Sequence, residues 1–330
     1  MKRLKRRTAR PYSGAMVRIV PLALAATALL VPAPAAAQAA QAVAPFQVEG
    51  GRGFNRLQDA VASIGGGSGT ILIADGAHRQ CAVQGEGRVT YRARTPGRAV
   101  FDGVACEGKA ALVLRGEAAR VEGIVFRGIR VPDLNGAGIR LEKGDLAVVN
   151  AMFRDSQQGI LSAPDPASTI VIDRSTFSGL GRCDENASCA HSIYIGDYGA
   201  LTVTRSRFER GMGGHYVKSH AARITVTGCS FDDTRGRNTN YMIDLPSGAT
   251  GTIADNVFVQ GPSKENYSAF VAVAAEGRQH SSAGLSIRDN EARIAPGIDR
   301  STVFVANWSK DRIALGANRL GPRLTPYEAR

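Results

Sequence analysis

The sequence predicts an all-β fold in which the chain winds into a solenoid of parallel strands, a parallel β-helix. Three observations predict it: a nine-residue strand-like segment recurs eight times, the spacing between copies varies, and helix signals between copies are nearly absent. Repeats of this length are typical of solenoids, in which each coil packs only on its neighbours. Residues 41–330 are expected to form this one domain.

The nine-residue repeat alternates apolar and polar residues, as a strand with one buried face does. Its fourth position is Val, Ile or Leu in all eight copies, and its last position is Phe in six. Successive copies end 27, 24, 31, 23, 27, 34 and 28 residues apart, which fits coils of fixed shape with variable loops. The copies are Ala118–Phe126, Asp145–Phe153, Thr169–Phe177, Ala200–Phe208, Arg223–Phe231, Thr250–Phe258, Gly284–Ala292 and Arg312–Leu320.

Coils of a β-helix stack about 4.8 Å apart, so residues at like positions form ladders along the axis. The recurring Phe is expected to form one such ladder and to fill the interior. Residues 53–65 carry apolar residues at helical spacing, and an amphipathic helix there would cover the open end of the first coil. The alternative is an antiparallel β-sandwich, which requires short hairpins, but no Asn-Gly hairpin joins adjacent repeats.

Five cysteines are present, and four of them are expected to pair. Cys183 and Cys189 bracket a short polar loop and are predicted to close it. Cys81 and Cys106 are 25 residues apart, about one coil, so a disulfide would join neighbouring turns. Cys229 is left over and is expected to be buried. No spacing suggests zinc and no Asp-rich Gly repeat indicates calcium, so no cofactor is predicted and calcium is left as the alternative.

Residues 1–40 have the features of a secretory signal peptide. Seven Lys and Arg residues and no acid accompany an apolar run, Ile19–Val31, that is too short to span a membrane. Cleavage after Ala37 or Ala40 is expected, and a retained anchor is the alternative. The mature protein is therefore predicted to be periplasmic or secreted, without stable membrane insertion, and monomeric.

Net charge limits the classes of partner. The formal charge is +12, and loss of the seven cations in the signal segment leaves +5. No stripe of Lys and Arg interleaves with aromatic residues, so nucleic acid is not expected as a partner. A mildly basic chain favours an acidic ligand, and an acidic polysaccharide or oligosaccharide is predicted.

Chemistry on a β-helix is expected on the outer face of one sheet. In each coil a second strand precedes the sixth repeat position by 10 to 12 residues, and a polar residue there has apolar or small neighbours. These residues are predicted to point outward in one row, although a slip of one residue would reverse any of them. The row consists of Arg140, Ser162, Tyr194, Lys218 and Asp244. His191 and His215 stand three residues before Tyr194 and Lys218 and are expected to stack, beside the Cys183–Cys189 loop.

Such a row suits β-elimination of a uronate, which requires neutralisation of the carboxylate, removal of the C5 proton and protonation of the leaving oxygen. Lys218 would be the base if its pKa is lowered, although Asp244, the other charged member of the predicted catalytic set, opposes this. Arg140 would pair with the carboxylate through its planar fork, and His215 would stabilise charge. Tyr194 or His215 would be the acid. Ser162 and His191 complete the predicted substrate-binding set.

Several segments also resemble a known group of proteins. FNRLQDAVASIGGGSGTILIADG, GIVFRGIRVPDLNGAGI, HSIYIG and GGHYVKS resemble exported bacterial right-handed parallel β-helix proteins of the pectin-lyase-like superfamily, over nearly all of the mature chain. The resemblance implies a right-handed coil, in a group that mostly lacks an assigned reaction. Val217–Ser219 is similar to the strand that carries the catalytic Lys of β-helix alginate and chondroitin lyases. Those enzymes place an Arg on the next coil, where this chain has Asp244.

Two other functions remain open. A glycoside hydrolase needs two carboxylates, and Asp244 would be joined by one residue from the set Asp197, Asp232, Asp233 and Glu276. A non-catalytic carbohydrate-binding or cell-envelope protein would use the same face, on which polar residues can also be simply solvated. Trp308 is expected to pack near the C-terminal end, and stacking on a sugar ring is the alternative. Bend positions are predicted for Asn150, Asn256, Asn290 and Asn318.

Overall fold

Each coil of the chain contributes one strand to each of three sheets. The structure, a computed structural model, describes residues 44–183 and 189–330. The predicted signal peptide, residues 1–40, and the loop 184–188 lie outside the described residues. Strands from successive coils pair in parallel, and parallel strands joined by crossovers in one sheet wind right-handed. The predicted right-handed parallel β-helix is confirmed, and the antiparallel sandwich is wrong.

Sheet A contains the first strand of each nine-residue repeat. In Arg223–Thr227 the side chains of Ile224 and Val226 are buried, whereas the alternate residues reach solvent, as the repeat predicts. In order across the sheet the strands are Gly53–Phe54, Phe46–Val48, Ser68–Ile73, Arg88–Ala93, Ala118–Glu122, Asp145–Val149, Asp165–Asp173, Tyr198–Thr204, Arg223–Thr227, Thr250–Ala254, Ser286–Arg288 and Ala314–Leu315.

Sheet B carries the recurring Phe, and these rings form the predicted interior ladder. From Phe126 to Phe258 the ring centroids are 4.8 to 4.9 Å apart, and every ring of the ladder is at most 1% exposed. Phe101 extends the ladder by one coil. The strands are Gly76–His78, Ala99–Asp102, Ile124–Arg127, Met152–Arg154, Thr176–Ser178, Arg207–Glu209, Ser230–Asp232, Val257–Gln260, Glu291–Ile294 and Arg319–Leu320.

Sheet C presents the outer face on which function is predicted. Its middle strands are only three residues long, so each places a single residue between two inward-facing neighbours. The strands are Ala82–Gln84, Ala110–Leu114, Ala137–Leu141, Gln158–Ser162, Ile193–Ile195, Val217–Ser219, Ile243–Leu245, Ala269–Val273, Thr302–Asn307 and Leu324–Ala329.

A helix caps the first coil, as predicted. Helix α1 spans Leu57–Ile64 and buries Leu57, Ala60 and Val61. Beside it, Phe46–Val48 pairs antiparallel with Gly53–Phe54 and with Ser68–Ile73, so the edge of the first coil is occupied in sheet A. An occupied edge offers no template for pairing with another chain.

Between sheets A and B the chain turns at the sixth repeat position. There φ is positive at Asn150, Arg174 and Asp255, the left-handed conformation that Asn and Asp tolerate well. The following residue turns inward and bonds to the next coil: Asn256 Nδ2 donates to Asn290 Oδ1 at 3.0 Å, and Asn290 Nδ2 donates to Asn318 at 2.9 Å. The prediction that Asn residues stabilise the bends is confirmed.

Both predicted disulfides are present. Cys81 pairs with Cys106 across neighbouring coils, and Cys183 pairs with Cys189. Cys229 is a buried free thiol whose pKa burial raises to about 11, so it stays protonated and inert at neutral pH.

Candidate functional site

The predicted outward row exists on sheet C, with one exception. Strand register places Tyr194 beside Lys218 and Lys218 beside Asp244 on successive coils. Arg140 lies in the same row but is separated from Tyr194 by Leu161. Arg140 Nε is 3.8 Å from Glu142, and its side chain is 25% exposed. Arg140 therefore lies along the same face, two coils from Tyr194, and outside the group formed by Tyr194, Lys218, His220, Asp244 and Glu276, which we call the Lys218 cluster.

The outward position predicted for Ser162 is wrong. Leu161 occupies the row, and Ser162 points inward, where its Oγ accepts a hydrogen bond from the Gly196 backbone N–H at 2.9 Å. Ser162 is 3% exposed, so it cannot reach a ligand on the face. The cause lies in the next strand, Asp165–Asp173, which contains a register irregularity between Asp165 and Thr169 and lengthens the segment before the turn.

Lys218 lies between two carboxylates. Its Nζ is 3.6 Å from Asp244 Oδ2 and 2.5 Å from Glu276 Oε1, and the residue is 9% exposed. Burial on its own lowers the pKa of Lys218, but the charge of Asp244 and the hydrogen bond to Glu276 outweigh burial, so the pKa is raised. The lowered pKa expected of Lys218 as a base is not found, and its ammonium stays charged at neutral pH.

Asp244 is the most deeply buried charge of the row, at 2% exposed. Burial raises its pKa to about 7; Lys218 opposes the rise and Glu276 adds to it. Oδ2 faces Lys218 and also lies 3.4 Å from His215 Nε2, whereas Oδ1 is buried without a hydrogen-bond partner among the described residues. Asp244 therefore keeps its proton to a much higher pH than an exposed carboxyl group does.

His191 and His215 stack as predicted, and Tyr241 continues the stack on the next coil. The ring centroids are 5.0 and 5.5 Å apart, and the His215 backbone N–H donates to His191 Nδ1 at 3.0 Å. Burial and Lys218 lower the pKa of His191 to about 3, and burial and His191 lower that of His215 far below its usual value, so both are neutral. A Cβ at Gly214 would lie 2.2 Å from the Ala190 carbonyl oxygen, which explains the Gly before His215.

A chain of hydrogen bonds connects Tyr194, in the row, to His220 and Ser247, which lie beside the row. Tyr194 Oη lies 3.3 Å from His220 Nε2, and His220 Nδ1 lies 2.7 Å from Ser247 Oγ. Burial and then Lys218 lower the pKa of His220, so its imidazole is neutral and able to accept a proton. Because Tyr194 and His220 are both partly exposed, this phenol–imidazole pair reaches the surface next to Lys218.

A loop after the strand Ala269–Val273, residues 274–284, folds back over this cluster; we call it the arm. Its backbone N–H groups at Glu276 and His280 donate to the carbonyl oxygens of Pro246 and Ser247, at 3.0 and 2.9 Å. His280 Nε2 and Gln279 Nε2 also bond to the Asp197 carboxylate, at 2.9 and 2.7 Å. The arm thereby covers Lys218 and links it to the coil of Tyr194.

The other residues named from the sequence fall outside the cluster. Asp233 is buried 3.3 Å from Lys264 and accepts a hydrogen bond from Tyr216 at 2.7 Å, which satisfies it within the fold. Asp232 lies on sheet B and bonds to Thr234. Trp308 packs against the cluster of Tyr241, Ala269, Ala272 and Ala306, and Arg330 lies over its ring at 4.9 Å, so the packing role predicted for it is confirmed.

In residues 44–183 and 189–330, no three His, Cys, Asp or Glu side chains converge as metal ligands would. Over the same ranges, no helix has the length and apolar character needed to cross a bilayer.

Comparison with known proteins identifies similar folds only. No family model and no curated protein matches the chain. Among solved structures, a pectin methylesterase from Aspergillus niger is 9% identical, with TM-score 0.44, over 81% of this chain and 82% of its own. A PL6 family alginate lyase is 13% identical, with TM-score 0.33, over 79% of this chain and 50% of its own. At this level of similarity neither structure bears on the reaction.

Sequence reasoning missed His220 as a member of the Lys218 cluster, and Ser247 and His280 beside it. His220 follows Lys218 by two residues and therefore faces the same side of the strand, a signal that period-2 counting offers. The arm belongs to the coil with the longest repeat spacing, 34 residues. The Cys183–Cys189 loop, from the 31-residue coil, was predicted to lie beside the site, and this longer insertion was not considered. Insertions on solenoids tend to lie at the binding face, and the longer one covers it.

Proposed function

We propose that this protein acts on an acidic polysaccharide by β-elimination at the outer face of sheet C. The observation that carries the proposal is an ammonium that stays charged at neutral pH, Lys218, adjacent to a phenol–imidazole pair, Tyr194 and His220, on one surface. One group attracts the uronate carboxylate, and the other two move a proton. The two disulfides suit a protein exported to an oxidising compartment outside the cytoplasm, where such polymers occur.

Each group has a role in the reaction. The ammonium of Lys218 neutralises the carboxylate and so acidifies the C5–H bond. Tyr194 takes the C5 proton as its own phenolic proton passes to His220 Nε2. The electron pair of the C5–H bond forms the C4–C5 double bond as the C4–O bond breaks. The proton on His220 then returns through Tyr194 to the leaving oxygen, so no other reactant is needed.

Glycoside hydrolysis is the second candidate, and one observation favours it. The carboxylates of Asp244 and Glu276 both contact Lys218 Nζ, at 3.6 and 2.5 Å, so the two lie on the same ammonium, as a pair of hydrolase carboxylates on one site would. Asp244, with a pKa of about 7, suits a general acid. Hydrolysis ranks second because Lys218 stands between the two carboxylates, where the sugar would have to sit.

A panel of uronate polymers tests the proposal. Elimination generates an unsaturated uronate that absorbs in the ultraviolet, hydrolysis generates reducing ends without that absorbance, and binding alone generates neither. Tyr194→Phe is expected to lower kcat by about 10²- to 10⁴-fold, the usual contribution of a proton-transfer group. Lys218→Met is expected to lose turnover, whereas the matched control Lys310→Met, an exposed lysine elsewhere, is expected to retain it.

Three outcomes of these assays would overturn the proposal. Full elimination activity in Tyr194→Phe would remove the proton-transfer role of the pair. Reducing ends without ultraviolet absorbance would transfer the assignment to hydrolysis, for which Asp244→Asn and Glu276→Gln are the decisive variants. Tight binding with no product would assign a carbohydrate-binding protein.

A further inference from the structure

We infer that Glu276 is an internal competitor that holds the place of the ligand's carboxylate on Lys218, and that it thereby restricts the site to anionic sugars. This inference rests on the proposed function, because it concerns the ligand of the same surface. It assigns to the arm a role in specificity that neither the repeat pattern nor the row of residues predicts.

The two carboxylates on Lys218 differ in position. The Asp244 side chain is 3% exposed and approaches Lys218 from the protein side, whereas the Glu276 side chain is 56% exposed and approaches from solvent. The side chain of Lys218 is 11% exposed, so Glu276 covers the side that a ligand would reach first. An ammonium offers three donors, and the one facing solvent is the one that Glu276 holds.

Glu276 is also poised to leave. An ion pair with one partner this exposed is weak, and a Glu side chain can rotate away without movement of the backbone. The arm itself remains fixed, through the bonds of His280 and Gln279 to Asp197 and through the backbone bonds to Pro246 and Ser247. Exchange of one carboxylate for another therefore requires only a change of rotamer.

The charge balance explains the selectivity. A uronate carboxylate that displaces Glu276 leaves Lys218 with the same number of anionic partners as before. A neutral sugar cannot replace the lost ion pair, so the ammonium would lose a partner and binding would be opposed. Close approach of the ligand without displacement places two carboxylates together, which like-charge repulsion disfavours.

Calorimetric titration with a galacturonate oligosaccharide tests the competition. Glu276→Gln keeps the size of the side chain but removes its charge, and it is expected to bind about two- to fivefold more tightly, the equivalent of an exposed ion pair. Glu117→Gln is the matched control: it makes the same change of net charge at an exposed glutamate in the bend before the sheet A strand Ala118–Glu122, and it is expected to leave affinity unchanged. Equal or weaker binding by Glu276→Gln overturns the inference and leaves the proposed function standing.

A second measurement does not depend on any sugar. Labelling of lysine amines with acetic anhydride, followed by mass spectrometry, reports the accessibility of Lys218 directly. Glu276→Ala is expected to increase labelling of Lys218, and Glu117→Ala is not. If no variant binds a uronate, the proposed function fails, and this labelling alone decides the competition: unchanged labelling of Lys218 in Glu276→Ala refutes it.

Discussion

Replacement of Asp244 by Asn tests the electrostatics of the site without requiring a substrate. The carboxyl is buried, and its pKa in the folded protein is about 7, against an ordinary value of 3.8. Asn has nearly the same shape and does not ionise. The variant therefore removes the cost of burying a charge and alters packing little.

The pKa of Asp244 determines the sign and the size of its effect on the free energy of unfolding as pH changes. As pH rises above about 4 the unfolded chain releases this proton, whereas the folded protein keeps it until about pH 7. The contribution to stability is thus complete below the unfolded pKa and is lost as pH rises to the folded one. At about 1.4 kcal/mol per pH unit, the loss is about 4 kcal/mol in total, and about 2 to 3 kcal/mol of it falls between about pH 5 and about pH 8.

Urea unfolding followed by circular dichroism at a series of pH values measures this loss. The wild-type free energy of unfolding is expected to fall between pH 5 and 8 by about 2 to 3 kcal/mol more than that of Asp244→Asn. Asp165→Asn is the control of opposite sign: the Gly144 backbone N–H lowers the pKa of Asp165, so its contribution is lost only as pH falls. Parallel pH profiles for wild type and Asp244→Asn would refute the reasoning.

Three further predictions concern stability, and urea unfolding measures each. Phe208→Ala interrupts the ring ladder and is expected to cost about 3–5 kcal/mol; a cost below 1 kcal/mol would contradict the ladder's role. Replacing Cys81 and Cys106 by Ser opens a 25-residue link and is expected to cost about 3.5 kcal/mol, with the variant insensitive to reductant. Lys264→Met leaves Asp233 buried without its cation and is expected to cost about 3–5 kcal/mol, partly recovered when Asp233→Asn is added.

The fold was predictable because its main determinant recurs in the sequence. The Phe ladder places the same residue at the same position of successive coils, so the nine-residue pattern can be recognised whatever the length of the loops between its copies. The pairing of Cys81 with Cys106 follows from the same near-constant circumference. The sixth repeat position was also visible, since residues such as Asn150 and Asp255 suit its left-handed backbone.

The site was predictable only where strand spacing stayed regular. Tyr194, Lys218 and Asp244 were placed correctly, because the distance from strand to turn is nearly constant in their coils. Leu161 lies one residue beyond the 10-to-12 window, so Ser162 was chosen instead. Glu276 was named only as one of four candidate hydrolase carboxylates. It lies in a loop, where the repeat spacing does not apply, so its contact with Lys218 two coils earlier could not be predicted. A lowered pKa was the condition for Lys218 to act as the base, and that condition is not met: burial lowers the pKa, but the charge of Asp244 and the contact with Glu276 raise it.

The first turns of the described solenoid have anchors beyond the contacts between coils, and this bears on the order in which the coils are expected to unfold. Helix α1, the antiparallel strands beside it and the Cys81–Cys106 bond all hold the first turns. Since stability in a solenoid is largely the sum of contacts between neighbouring coils, we expect unfolding to start at the opposite end and to proceed toward the helix. The arm belongs to a later coil than Tyr194, Lys218 and Asp244. Unfolding from that end would therefore remove the arm from this surface while the coils that carry these three residues are still folded.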